Sequence, residues 1–144
     1  MNRNSPPLVV DRPPRWPHTY QQRLRAEPQH LAGVRRIVRA HLRLWGWGDE
    51  LVEAAAYCVT ELVANVHEHV DPPECELTLR NLPDGVRLSV SDRSNSRPVA
   101  VEGAELWVES GRGVLLVGAL AERWGTEATE TGKEVWAVLR EVAG

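Results

Sequence analysis

The chain of 144 residues has no phenylalanine, one methionine and two cysteines. Two cysteines cannot build a disulfide scaffold, and Cys58 and Cys75 lack the spacing of a metal-ligand pair. They read as reduced thiols, buried or half-buried, in a cytosolic protein. Long apolar runs are missing too. No stretch approaches the roughly 20 residues that span a bilayer, and the N-terminus has no apolar signal core. Neither a membrane protein nor a secreted one is expected. Excess positive charge is also lacking: 17 Lys and Arg stand against 20 Asp and Glu, for a net charge of -3. Bulk electrostatics therefore give no support for binding nucleic acid or an anionic membrane surface. No Gly-x-x-x-x-Gly-Lys-Ser/Thr occurs, so a P-loop is excluded. Internal repeats are absent. Six tryptophans replace the missing phenylalanines, a bias with no functional reading.

What is present is an ordinary globular composition, 42% hydrophobic and 26% charged, at a length that suits one domain with one core. Five of the ten prolines (Pro6, Pro7, Pro13, Pro14 and Pro17) crowd into the first residues. Residues 1–18 are expected to form a flexible Pro-rich tail, because such a segment cannot pair its backbone in a sheet or helix. Residues 19–144 make the single domain. Tyr20 to Arg25 alternates weakly, as an edge strand would. From Pro28, the positions Leu31, Val34, Ile37, Val38, His41, Leu42 and Trp45 recur at helical spacing, with Pro28 in the first turn. Trp45-Gly46-Trp47-Gly48 ends this helix. Asp49 is placed to cap a second helix, which runs to about Val70 and stops before Asp71-Pro72-Pro73.

Glu74 to Asn81 and Val86 to Asp92 read as strands joined by Leu82-Pro83-Asp84-Gly85, a hairpin signal. Arg93 to Gly111 has no sustained period. Its length favours a functional lid over a simple connection. Gly113 to Glu122 reads as a third helix. Arg123 to Glu127 and Glu134 to Arg140 read as a closing hairpin that turns around Thr131-Gly132. This order predicts an α+β fold, a two-layer sandwich with helices on one face of a mixed, largely antiparallel sheet.

Three motifs carry chemistry. On the second helix, Glu61, Asn65 and His69 follow one another at four-residue spacing and project from nearly one face, opposite Leu62, Val66 and Val70. An Asn amide oxygen is a hard ligand that suits Mg²⁺, and a Glu one turn earlier can take a proton from an attacking hydroxyl. Where a strand runs into the long loop, Asp92 can accept a hydrogen bond from an exocyclic amine. At the far end of the loop, Gly111-Arg112-Gly113-Val114 opens a helix, where exposed backbone N–H groups and the helix dipole favour phosphate. Each motif alone fits a bland reading: a solvated helix face, a turn residue, a tight turn.

Together these residues resemble the GHKL (Bergerat-fold) ATPase superfamily, in its anti-sigma factor serine/threonine kinase branch, near the compact ATP-binding regulatory proteins of actinomycetes. The resemblance covers roughly residues 20–142. It includes Leu44-Trp45-Gly46, Thr60-Glu61-Leu62-Val63-Ala64-Asn65, Asp92-x-Ser94-x-x-x-Pro98 and Gly111-Arg112-Gly113. It continues through Leu120-Ala121-x-x-Trp124-Gly125 and Gly132-Lys133-x-Val135-Trp136. It implies a histidine-kinase-like ATPase domain that uses ATP and Mg²⁺. In that scheme Glu61 is the general base and Asn65 the Mg²⁺ ligand. Asp92 receives the adenine amine, and Asn65, His69, Asp92, Ser94, Pro98, Gly111, Arg112, Gly113 and Val114 line the ATP site. His69 sits at its rim and the Arg93–Ser110 loop forms the lid.

The resemblance also implies the partners. A sigma factor is sequestered, and a Ser or Thr of a STAS-type anti-anti-sigma antagonist is phosphorylated. A homodimer through Tyr20–Arg25 is compatible with it, as is a cytoplasmic location. An ATP-sensing binding protein with little kinase activity is the alternative. Two positions depart from the pattern. Ala64 stands where many kinase members have Thr or Ser. Glu134 stands where relatives often have Thr; facing the nucleotide it repels phosphate, facing solvent it does nothing.

Two rival readings concern the helices. His67 and His69 are two apart and diverge by about 200° on a helix, against a zinc site. Arg35, Arg39 and Arg43 line one face of the first helix, with Arg36 beside it. That row is either a solvated face or a docking stripe for an acidic patch on a partner.

Overall fold

Pro28 cannot donate a backbone hydrogen bond, so it enters the first helical segment only at the start. The computed structural model, which describes residues 18–93 and 121–141, places it at the head of a 3-10 turn, Pro28–His30. Helix α1, Leu31–Leu44, follows directly, with Val34, Val38 and Leu42 buried along one stripe. Its end is set by Gly46, whose φ of 95° lies in the left-handed region that side chains disfavour. The Gly46 N–H donates to the Arg43 carbonyl and the Trp47 N–H to the Leu42 carbonyl, each at 3.0 Å, the paired bonds of a Schellman stop.

Helix α2, Asp49–His69, is capped by Gly48 rather than by Asp49. The expected Asp49 cap is therefore corrected. Asp49 and Glu50 occupy the first turn, where negative charge favours the helix dipole. The Gly48 N–H finds its acceptor far along the chain, at the Glu141 carboxylate, 3.0 Å away. Val70 closes α2 in extended conformation, just ahead of Asp71-Pro72-Pro73.

The strands are β1 (Thr19–Arg25), β2 (Glu74–Leu82), β3 (Gly85–Asp92), β4 (Arg123–Ala128) and β5 (Lys133–Arg140). They form one sheet in the order β1-β2-β3-β5-β4, with every described pairing antiparallel. The expected parallel component is not found among the described strands. β1 lies at the edge, as its weak alternation implied. The β2–β3 turn brings Leu82 opposite Gly85. A Cβ at Gly85 would fall 2.0 Å from the Leu139 carbonyl oxygen, so only glycine lets β5 approach there.

Alternation decides which face the helices cover. Cys75, Leu77, Leu79, Val86, Leu88, Val90, Val135, Ala137 and Leu139 are buried at every second position. They meet Val38, Leu42, Val52, Ala55, Val59, Leu62 and Val63 from the two helices. The result is a two-layer α+β sandwich. On the opposite face, Arg87 lies over the Trp136 ring at 5.2 Å and reaches Glu134 at 3.5 Å. That contact puts Glu134 on the outer face of the sheet.

Several expectations fall outside the described residues: the tail over residues 1–17, the loop beyond Arg93, and the third helix up to position 120. The same holds for Ser94, Pro98, Gly111, Arg112, Gly113 and Val114. The described residues Ala121 and Glu122 are not helical, so the expected helix does not reach Glu122.

Candidate functional site

Helix α2 turns a four-residue repeat into a gradient of burial. Asn65 is 5% exposed, Glu61 is half-buried and His69 is exposed in the last turn. Spacing alone predicts one polar stripe opposite an apolar one. The structure instead buries Asn65 almost completely. Burial strips water from the Glu61 carboxyl and pushes it above the usual carboxylate range. The same burial pushes the neighbouring Cys58 thiol up to about 12, helped by the negative charge of Glu61. A carboxyl shifted this way is a better proton acceptor once ionised than a solvated one.

Asp92 ends β3 on the helix-facing side of the sheet and is 5% exposed. Its register partners are Cys75 on β2 and Lys133 on β5. The Lys133 ammonium donates to Asp92 Oδ2 at 2.8 Å. Burial, reinforced by the charge of Asp92, pushes the Cys75 thiol up to about 12. A cleft at this end of the sheet is lined by Leu24, Cys75, Ser91, Asp92, Thr129 and Thr131; Glu61 and Asn65 do not border it. The cleft therefore reaches the strand-end half of the candidate site only.

A family model of the histidine kinase-like ATPase domain matches residues 24–139. The chain belongs to that family. No curated protein matches it. Histidine kinase-like ATPase domains bind ATP, usually with Mg²⁺, and the donor set present here fits both. Asn65 offers an amide oxygen, a hard donor that Mg²⁺ accepts beside phosphate and water, and Glu61 one turn earlier offers a carboxylate that can take a proton. Asp92 offers a buried acceptor suited to an exocyclic amine.

Sequence reading missed one residue of this histidine kinase-like ATPase domain. Lys133 is 6% exposed and shares the inward face of β5 with Val135, Ala137 and Leu139. The signal was available: a lysine two residues before an inward-facing valine on a strand must either find an acid or break the alternation.

The other candidates settle differently. Among the described residues no group of His, Cys, Asp and Glu could hold a metal ion by itself. His67 Nδ1 lies 2.9 Å from the Ala26 carbonyl, which only accepts, so that nitrogen carries the proton. The bond ties the end of α2 to the segment after β1. Arg39 makes a two-pronged contact with Glu53 on α2, with bonds of 3.0 to 3.2 Å, and holds the Glu53 carboxyl below its usual range. Arg43 lies 3.7 Å from both Asp49 and Glu53. Two of the three stripe arginines thus join the helices to each other.

Proposed function

We propose that this chain is an ATP-dependent anti-sigma factor that sequesters a sigma factor in the cytoplasm and phosphorylates a Ser or Thr of a STAS-type antagonist. The observation that carries the reading is the pairing of Glu61 and Asn65 one turn apart on α2. The first has a carboxyl lifted by desolvation and the second is buried, within a histidine kinase-like ATPase domain.

The reaction is in-line phosphoryl transfer. The antagonist hydroxyl oxygen bonds to the γ-phosphorus, the bond from that phosphorus to the bridging oxygen breaks, and ADP leaves. Glu61 takes the hydroxyl proton. Asn65 would hold the Mg²⁺, which supplies charge neutralisation at the phosphates. Asp92 fixes the base end of the nucleotide. Phosphorylation adds charge at the antagonist's interface and ejects it, which frees this chain to bind the sigma factor again.

The test is transfer of labelled γ-phosphate from ATP to candidate antagonists, with Glu61→Gln as the control. The expected result is labelling by the wild type and a loss of at least about 100-fold in the variant, the usual contribution of a general base. ATP binding with no transfer to any antagonist supports the sensor reading instead. No ATP binding with Mg²⁺ present overturns both.

A further inference from the structure

The outer face of the sheet carries no described helix, and its charges are sorted by row. Strand register sets Glu76, Ser91, Glu134 and Glu127 side by side across β2, β3, β5 and β4, with Arg23 of β1 at the end. Four positions along every strand lies a second row: Thr19, Arg80, Arg87, Val138 and Arg123. The row between them, which includes Thr78, Ser89 and Trp136, has no charge.

Such sorting costs a single chain stability. Arg80 stands directly opposite Arg87, and Glu127 directly opposite Glu134; like charges in that position destabilise a sheet. Arg87 does reach Glu134 at 3.5 Å. Arg80, Arg123, Glu76 and Glu127 join no ion pair among the described residues. Arg80, Arg123 and Glu127 are exposed and Glu76 is half-buried.

We propose that this outer face is a self-complementary docking surface for a second copy of the chain. A two-fold axis running along the uncharged row, across the strands, sets the acidic row of each copy against the basic row of the other. Glu76 then meets Arg80 of the second copy, and Glu127 meets Arg123 of the second copy. Trp136, half-buried under Arg87, supplies an apolar centre on the axis row. Residues 1–17 suit the face less well, because Arg3, Arg12 and Arg15 against the single acid Asp11 match the acidic row only. Glu76, Ser91 and Glu134 also border the cleft beside Asp92, so the dimer carries the second copy's basic row along that rim.

The experiment is sedimentation velocity of the full chain over a dilution series at low and high salt, with thermal unfolding as the check on folding. The wild type is expected to form a dimer that dissociates on dilution and weakens in salt, which screens exposed pairs. Arg123→Glu and Glu127→Arg are each expected to weaken the dimer at least about tenfold, since like charges then meet across the interface. An equimolar mixture of the two variants is expected to restore it, because each supplies the charge that the other needs. Arg80→Glu mixed with Glu76→Arg repeats the test on β2 if a β4 variant fails to fold. A wild type that stays monomeric at every concentration overturns the proposal. A dimer that neither reversal weakens, as pairing through the β1 edge would give, overturns it too, and so does a mixture that stays monomeric.

Discussion

Glu61 shows how much of this site depends on the surroundings of one carboxyl. Desolvation raises it above the usual range, and a general base works only when deprotonated. The acid limb of the transfer rate is therefore expected above the ordinary carboxylate range, with activity falling as pH drops through it. A pH profile of kcat checks this; a limb at the value of a solvated carboxylate would count against Glu61 as the base. The stability consequence has the opposite sign. The folded state holds its proton to higher pH than the unfolded state, so stability is greatest below the unfolded value and declines as pH rises through the folded one. Glu61→Gln is expected to flatten that decline in denaturant titrations between acid and neutral pH.

At the scale of elements, the meeting of β3 with the β4–β5 turn is the tightest point of the site. The turn is closed by Thr129, whose N–H donates to the Gly132 carbonyl and whose Oγ1 accepts from the Gly132 N–H, both at 2.9 Å. A Cβ on Gly132 would fall 1.9 Å from the Asp92 carbonyl oxygen and 2.8 Å from the Arg93 Cα. Backbone, unlike a side-chain tip, cannot step aside cheaply. Gly132→Ala is expected to cost about 1–3 kcal/mol, the usual range for overpacking, and to weaken ATP binding by displacing Lys133 from Asp92. The denaturant midpoint and ATP titration measure the two effects. Wild-type stability would show that β5 shifts freely. Helix α1 contrasts with this turn. Its stop at Gly46 depends on backbone angle alone, since nothing lies within 4 Å of an added Cβ there.

For the whole molecule, the two cysteines report how tightly the layers are closed. Cys58 is fully buried in α2 and Cys75 is 6% exposed on β2. Burial pushes both thiols up to about 12, so neither offers thiolate at neutral pH. Alkylation is expected to require opening of the sandwich, with labelling rates that rise with denaturant as global unfolding does. Prompt labelling of either cysteine in native buffer would show a local opening at the candidate site. Alternation along β5 sends Lys133 inward and Glu134 outward to Arg87, yet Glu134 borders the same cleft as Asp92 at the end of the sheet.

The sequence by itself determined the two helices and five strands of the described residues and their order, because those follow from local periods and stops. The apolar spacing of Val34, Val38 and Leu42, the Pro83-Asp84 turn and the alternation of β3 and β5 were all readable within a few residues. The Glu61–Asn65 repeat and the strand-end Asp92 were readable for the same reason. Tertiary structure decided what those side chains experience. Burial of Asn65, the lifted Glu61 carboxyl and the Arg39–Glu53 contact depend on residues far apart in the chain, and no local pattern carries them. Lys133 lay between the two kinds. Its inward direction followed from alternation, but its partner 41 positions away was fixed only when β3 and β5 paired side by side.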